Sequence, residues 1–112
     1  MGLRRLLIGA LLASLAATAN AAPRAKTRFD GIRDCERLGA VQFRRHNAAF
    51  RRFTIDRAKV SVDRFADRIG GSFVSTVYHG GATYDGGKGA DHTRFICLHG
   101  GQDALFVYTL PD

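Results

Sequence analysis

The side chains with the widest chemical reach are four histidines (His46, His79, His92 and His99), the nearby Asp85 and Asp91, and two cysteines, Cys35 and Cys97. A zinc centre needs three or four such groups converging at short ligand distances. None of the spacings here is a ligand motif: His46 belongs to the edge of a helical stretch and the other three sit at expected turns. His79 and His99 fall at corresponding ends of strands expected to be neighbours, so convergence depends on a strand register that the sequence does not give. For hydrolysis, Ser72, Ser75 and Thr76 are available hydroxyls, but no Gly-x-Ser-x-Gly elbow surrounds them. Cys97 and His99 point the same way along a strand, yet a disulfide removes the thiolate that a Cys–His nucleophile requires. Gly81 to Gly86 has the Gly-x4-Gly spacing of a phosphate loop, but Gly87 precedes Lys88 and Gly89 stands where Ser or Thr is needed. The sequence therefore predicts no catalytic residues, no metal and no cofactor.

What the cysteines do depends on compartment. The chain opens Met1-Gly-Leu-Arg-Arg, continues with 13 uncharged, mostly apolar residues from Leu6 to Thr18, and reaches Ala19-Asn20-Ala21. A positive start, a short apolar stretch and a small-x-small site describe a secretory signal peptide, residues 1–21, cut after Ala21. A spanning helix needs about 20 apolar residues, and Pro23-Arg24-Ala25-Lys26 follows too soon. The first cysteine is Cys35, away from the cut, which argues against lipidation. Arg4-Arg5 serves the general secretory route as well as a twin-arginine one. The expected address is the periplasm or the exterior, with no membrane span after cleavage. There, an isolated Cys35–Cys97 pair reads as a structural disulfide. Bridging 62 positions, it contributes about 4 kcal/mol in the loop-closure model, a large share of the roughly 5–15 kcal/mol of a whole domain.

Cleavage leaves 91 residues, one domain with a modest core, and takes the net charge from +7 to +5. Residues 24–53 carry nine Lys or Arg against three acids, whereas residues 54–112 carry six against seven. A basic patch of this kind raises nucleic-acid binding in a cytoplasmic protein, and export turns it instead toward an anionic envelope component or an acidic protein. The bland reading is a solvated face that aids solubility. The arginines concerned, Arg33, Arg37, Arg44, Arg45, Arg51 and Arg52, form the candidate binding surface. The turn set from Tyr84 to His92 is a second candidate, as a binding loop.

These residues must be held by a small number of elements. Residues 22–30 have no hydrophobic period and read as a flexible basic leader, leaving residues 31–112 as the domain. Over 32–50, Ile32, Gly39, Phe43, His46 and Phe50 fall within about 60° on a helical wheel, with Cys35 and Leu38 extending the stripe. Asp30 or Asp34 would cap it. Residues 53–69 carry both periods: Ile55, Ala58, Val62, Phe65 and Ile69 fit a helical face, while Phe53, Ile55, Val60 and Val62 alternate as a strand does. Ser72 to His79, Thr93 to His99 and Ala104 to Leu110 read as strands, separated by Gly80-Gly81, residues 85–89 and Gly100-Gly101 as turn or bulge material. On the middle one, Phe95, Cys97 and His99 share one face and Arg94, Ile96 and Leu98 the other; if Cys97 bonds to Cys35, the Phe95 face is the one under the helix.

A Cys-bearing helix after a signal peptide, followed by "VSTVYHGGATY", "RFICLHGG" and "LFVYTLP", resembles small uncharacterised exported proteins of Gram-negative bacteria. The likeness spans most of the chain after residue 21 and implies that residues 53–69 form a strand. The fold expected is then α+β, one amphipathic helix packed on a four-stranded antiparallel sheet, the alternative being two helices with a three-stranded meander. A second likeness links "FICLHGGQDALFVY" to the strand-turn-strand pattern of periplasmic C-type lysozyme inhibitors, where it lies near the start of the domain and here ends the chain. The leading expectation is a small, basic, non-enzymatic binding or accessory protein. An inhibitor of a hydrolase such as lysozyme is second, and a small hydrolase or metal-binding protein third.

Overall fold

Thr27 starts the first element. Its hydroxyl accepts the Asp30 amide at 3.3 Å and its own amide donates to Asp30 Oδ2 at 3.0 Å, a reciprocal box that satisfies two amides the helix would otherwise leave open. Helix α1 (Arg28–His46) therefore begins earlier than its apolar stripe suggests, and residues 27–30 belong to the domain rather than to the leader. The computed structural model describes residues 27–111. The signal peptide, its cut site and residues 22–26 of the leader lie outside them.

The helix also ends sooner than 50. Asn47 turns extended, its side chain accepting the Ala49 amide at 3.0 Å and donating to Gly86 O at 3.0 Å, a local alternative to helical bonding. Phe50 lies past the helix yet still reaches the core, stacked at tilted angles on Phe43 and Tyr84.

Four strands follow, β1 (Arg52–Ile69), β2 (Ser72–Asp85), β3 (Ala90–His99) and β4 (Ala104–Leu110), paired antiparallel in the order β1-β2-β3-β4. The fold is one helix on a four-stranded antiparallel sheet with a Cys35–Cys97 disulfide, as the α+β expectation has it, and the second helix of the alternative is a strand. The helical stripe in 53–69 misleads because β1 is bulged twice. Ile55 pairs with Ala82 and Val60 with Gly80, so four residues of β1 oppose the single Gly81; a second shift separates Arg64 from Asp67, with Ala66 at a positive φ of 55°. Bulges break strict alternation. Of the helical set only Ile55 is buried; Val62, Phe65 and Ile69 are exposed.

Gly80-Gly81, expected at a turn or bulge, lies inside β2 facing the first bulge. Gly80 has φ +155°, and a Cβ there would be driven into the Lys59 carbonyl oxygen, so this position has to be glycine. Along β2 and β3 the helix-side face carries Val74, Tyr78, Ala82, Phe95, Cys97 and His99, all buried. Phe53 of β1 meets Phe43 and Phe95 edge-on, at 5.2 Å and 6.2 Å. No helix covers the opposite face among the described residues. β3 pairs with β2 only from Thr76 onward, so residues 67–69 and 72–74 pair only with each other, a two-stranded extension in which Val74 stays buried while Phe65, Ile69 and Phe73 are exposed.

Candidate functional site

Helix α1 carries three acids, and all three are engaged. Asp30 closes the N-terminal box. Asp34 Oδ2 lies 2.9 Å from His99 Nε2 on β3. Glu36 accepts the Ile55 amide at 2.8 Å, just before the first bulge, and takes the Arg57 guanidinium through both oxygens at 2.7 Å and 2.9 Å. That hydrogen bonding, with the Glu36 charge beside it, holds Arg57 above its ordinary value, against a smaller opposing effect of burial. Asp34 and Glu36 thus tie the helix to the sheet, Asp30 serves its N-terminus, and Arg33, Arg37, Arg44 and Arg45 are left without a carboxylate partner among the described residues.

Arg33, Arg37 and Arg44 repeat at four and seven residues, which places them on one line of the outer face. All six predicted arginines are exposed, and none is among the ion pairs of the described residues. They do not form one patch. Arg45 is turned about a quarter of the circle from that line. Arg44 lies over the Phe50 ring, 5.7 Å from its centre, and Arg51 follows Phe50 with its amide on Asp85 O at 2.9 Å. Arg52 precedes the helix-facing Phe53 and is register partner of Asp85, so its side chain belongs to the opposite sheet face. Exposed Phe29 and Val41 flank the line Arg33-Arg37-Arg44. The surface is a cationic stripe edged with apolar groups.

The histidines separate. His99 is buried under the helix, its Nδ1 accepting the Gly101 amide at 3.0 Å. His79 and His92 lie on the uncovered face, His79 bonded to Asp63 at 2.6 Å and His92 opposite Thr83. His46 is exposed at the end of the helix. Among the described residues no three of His, Cys, Asp and Glu converge. Cys97 is bonded to Cys35, with Cα atoms 6.0 Å apart, so the Cys97–His99 juxtaposition has no thiol. Ser75 donates to His99 O across the strands at 3.2 Å, a pairing role. The Tyr84–His92 segment is mostly strand: only residues 86–89 form the turn, and the Tyr84 ring packs edge-on against Phe43 at 5.3 Å.

Sequence reasoning missed two things. Ser61 stands opposite His79, which bonds Asp63, placing Ser, His and Asp on one face; Ser61 has no hydrogen bond to the imidazole, and the His–Asp pair is open to solvent. The other is a set of helix side chains capping sheet edges. Gln42 accepts the Val107 amide at 3.0 Å on β4, and Arg28 donates to Val60 O at 2.6 Å on β1. Neither depends on a motif, only on the docking angle of the helix. No helix of the described residues is long and apolar enough to cross a membrane. In comparisons with protein-family models, curated proteins and solved structures, nothing matches this chain.

Proposed function

We propose that this chain is an exported, non-enzymatic binding domain that uses the outer face of α1 to hold an anionic envelope component or an acidic protein. The observation that carries the reading is the state of the helix's charges. Asp30 is engaged in the N-terminal box and Asp34 and Glu36 are bound to the sheet, while Arg33, Arg37 and Arg44 stand in line, exposed and without carboxylate partners among the described residues. Exposed cations cost nothing to desolvate until a partner arrives, and they attract an anionic surface over about a Debye length, 8 Å at physiological salt. Phe29 and Val41 add apolar contact beside them. Export rests on residues 1–21 and agrees with the disulfide. The test is retention of the purified protein on envelope fractions at low and high salt. Retention falling with salt, and lost on reversing Arg33, Arg37 and Arg44 to Glu, is the expected result; unchanged retention in the reversed protein ends the reading.

The β1–β2 arm favours a second reading, inhibition of a hydrolase, because a projecting hairpin with exposed Phe65, Ile69 and Phe73 has the shape to enter a cleft. A lysozyme inhibition assay with purified protein decides it: full enzyme activity at excess protein removes that target.

A further inference from the structure

The uncovered sheet face holds a groove of about 550 Å³ at the first bulge of β1. Its floor includes two positions without side chains, Gly80 and Gly81; residues 56–59 of the bulge have no register partner on β2, and the Lys59 backbone packs against Gly80. Two rows of side chains border it. In one, Gly81 is register partner of Arg94, and the Lys59 stem lies along Gly81 on the other side, close enough that a Cβ at Gly81 would touch Lys59 Cβ and Cδ at 3.6 and 3.7 Å. In the next, Thr54, Thr83 and His92 are consecutive partners across β1, β2 and β3. Asp56 is the one acid lining the groove, and its Oδ1 is occupied by the Ala58 amide at 3.1 Å. Arg94 is steadied by bonds from Nε and Nη2 to Pro111 O, at 3.3 and 3.0 Å, which leaves Nη1 unused.

We infer that this groove is a binding site for a phosphate-ester group, held over Gly81 between Lys59 and Arg94 with the Thr54 and Thr83 hydroxyls donating to its oxygens. Two cations bordering a position without a side chain suit a compact oxyanion: Gly81 adds no bulk of its own, and Lys59 and Arg94 line the groove from β1 and β3. Hydroxyls and a guanidinium supply directed donors. Beyond Arg94 the same face turns apolar, through Leu110 opposite Arg94 and Ile96 opposite Tyr108, so the ester's substituent has an apolar surface to lie on. This site is on the far side of the sheet from the helix arginines and does not depend on them.

The experiment is an amide chemical-shift titration of the full-length, disulfide-bonded protein with three probes: inorganic phosphate, glycerol 3-phosphate and a short-chain phosphatidic acid below its micelle concentration. Saturable shifts at Gly81, Thr83 and Arg94 are expected with all three, tightest with phosphatidic acid if a lipid is the source and equal if the phosphate alone is read. Lys59→Gln with Arg94→Gln should weaken binding at least tenfold. Gly81→Val should do the same with every charge kept, by filling the floor. Reversing Arg33, Arg37 and Arg44 should leave it unchanged. Absence of shifts at millimolar phosphate, shifts centred on the helix, or full affinity in a folded Gly81→Val protein overturns the site. Loss of the groove shifts leaves the helix stripe untouched, because that surface is tested separately by salt-dependent retention on envelope fractions.

Discussion

His99 Nε2 and Asp34 Oδ2 lie 2.9 Å apart beneath the helix, and the other ring nitrogen of His99 accepts the Gly101 amide. That acceptor role leaves Nδ1 without a proton, so the imidazole is the Nε2–H tautomer and donates to the carboxylate. Asp34 and Cys35 are adjacent on α1, as Cys97 and His99 are two apart on β3, so the hydrogen bond and the disulfide fasten one point of the helix to one point of the sheet. Asp34→Ala leaves a buried imidazole N–H without this acceptor, and a loss of about 1.5–3 kcal/mol follows for a bond to a charged group. Urea denaturation of the oxidised protein measures it, and nitrogen NMR of His99 should report the Nε2–H form in the unaltered chain.

The Cys35–Cys97 link closes a long loop. Cys35→Ser with Cys97→Ser should lower stability by about 4 kcal/mol on the loop-closure model, bringing a domain of this size near its unfolding threshold at room temperature. Thermal melting of the two proteins in oxidising buffer checks this. A thiol assay of the unfolded, unreduced native chain should find no free sulfhydryl.

Gly80 and Gly81 are neighbours with opposite demands. Gly80→Ala pushes a methyl group into the Lys59 carbonyl at a positive φ, so the bulge must shift, at a cost of roughly 1–3 kcal/mol for a strained backbone position. Gly81→Ala meets only ordinary contacts with the Lys59 stem and should change stability little, within about 0.5 kcal/mol. Chemical denaturation of the pair separates them.

Gln42 holds both polar groups of Val107, accepting its amide at 3.0 Å and donating to its carbonyl at 3.4 Å. Since β4 is an edge strand, Gln42→Ala exposes an edge amide and carbonyl that another chain can pair with. Faster hydrogen exchange at Val107 and concentration-dependent association in sedimentation are the expected outcomes. An exchange rate equal to that of the unaltered protein would contradict the capping role.

The antiparallel strands and their two faces were readable because short apolar segments alternate cleanly in β3, where Phe95, Cys97 and His99 face the helix. β1 was not, since period-2 reasoning assumes one residue per partner and four residues of β1 oppose Gly81. The alternation of Phe53, Ile55, Val60 and Val62 left strand and helix both open there, and the likeness to exported proteins decided for the strand. The helix start was misplaced because Thr27 precedes the apolar stripe, although Thr-x-x-Asp is itself a capping signal. At the candidate site, the line Arg33-Arg37-Arg44 followed from helical spacing, whereas grouping Arg52 with it ignored the reversal of face on entering a strand. The groove at Lys59 and Arg94 joins residues 35 positions apart through a bulge, and local pattern carries no trace of it.

The disulfide has one more consequence, from where it falls in the chain. It makes a covalent ring of residues 35 to 97 and leaves β4 as a tail outside it. When the domain opens, the disulfide keeps the helix tethered to β3, while β4 has no covalent link and is held by its pairing to β3, by Gln42 and by packing under the helix. The last strand is thus the detachable piece of the sheet, and its departure would uncover Val107 and the flank of Cys97 while the ring remains closed.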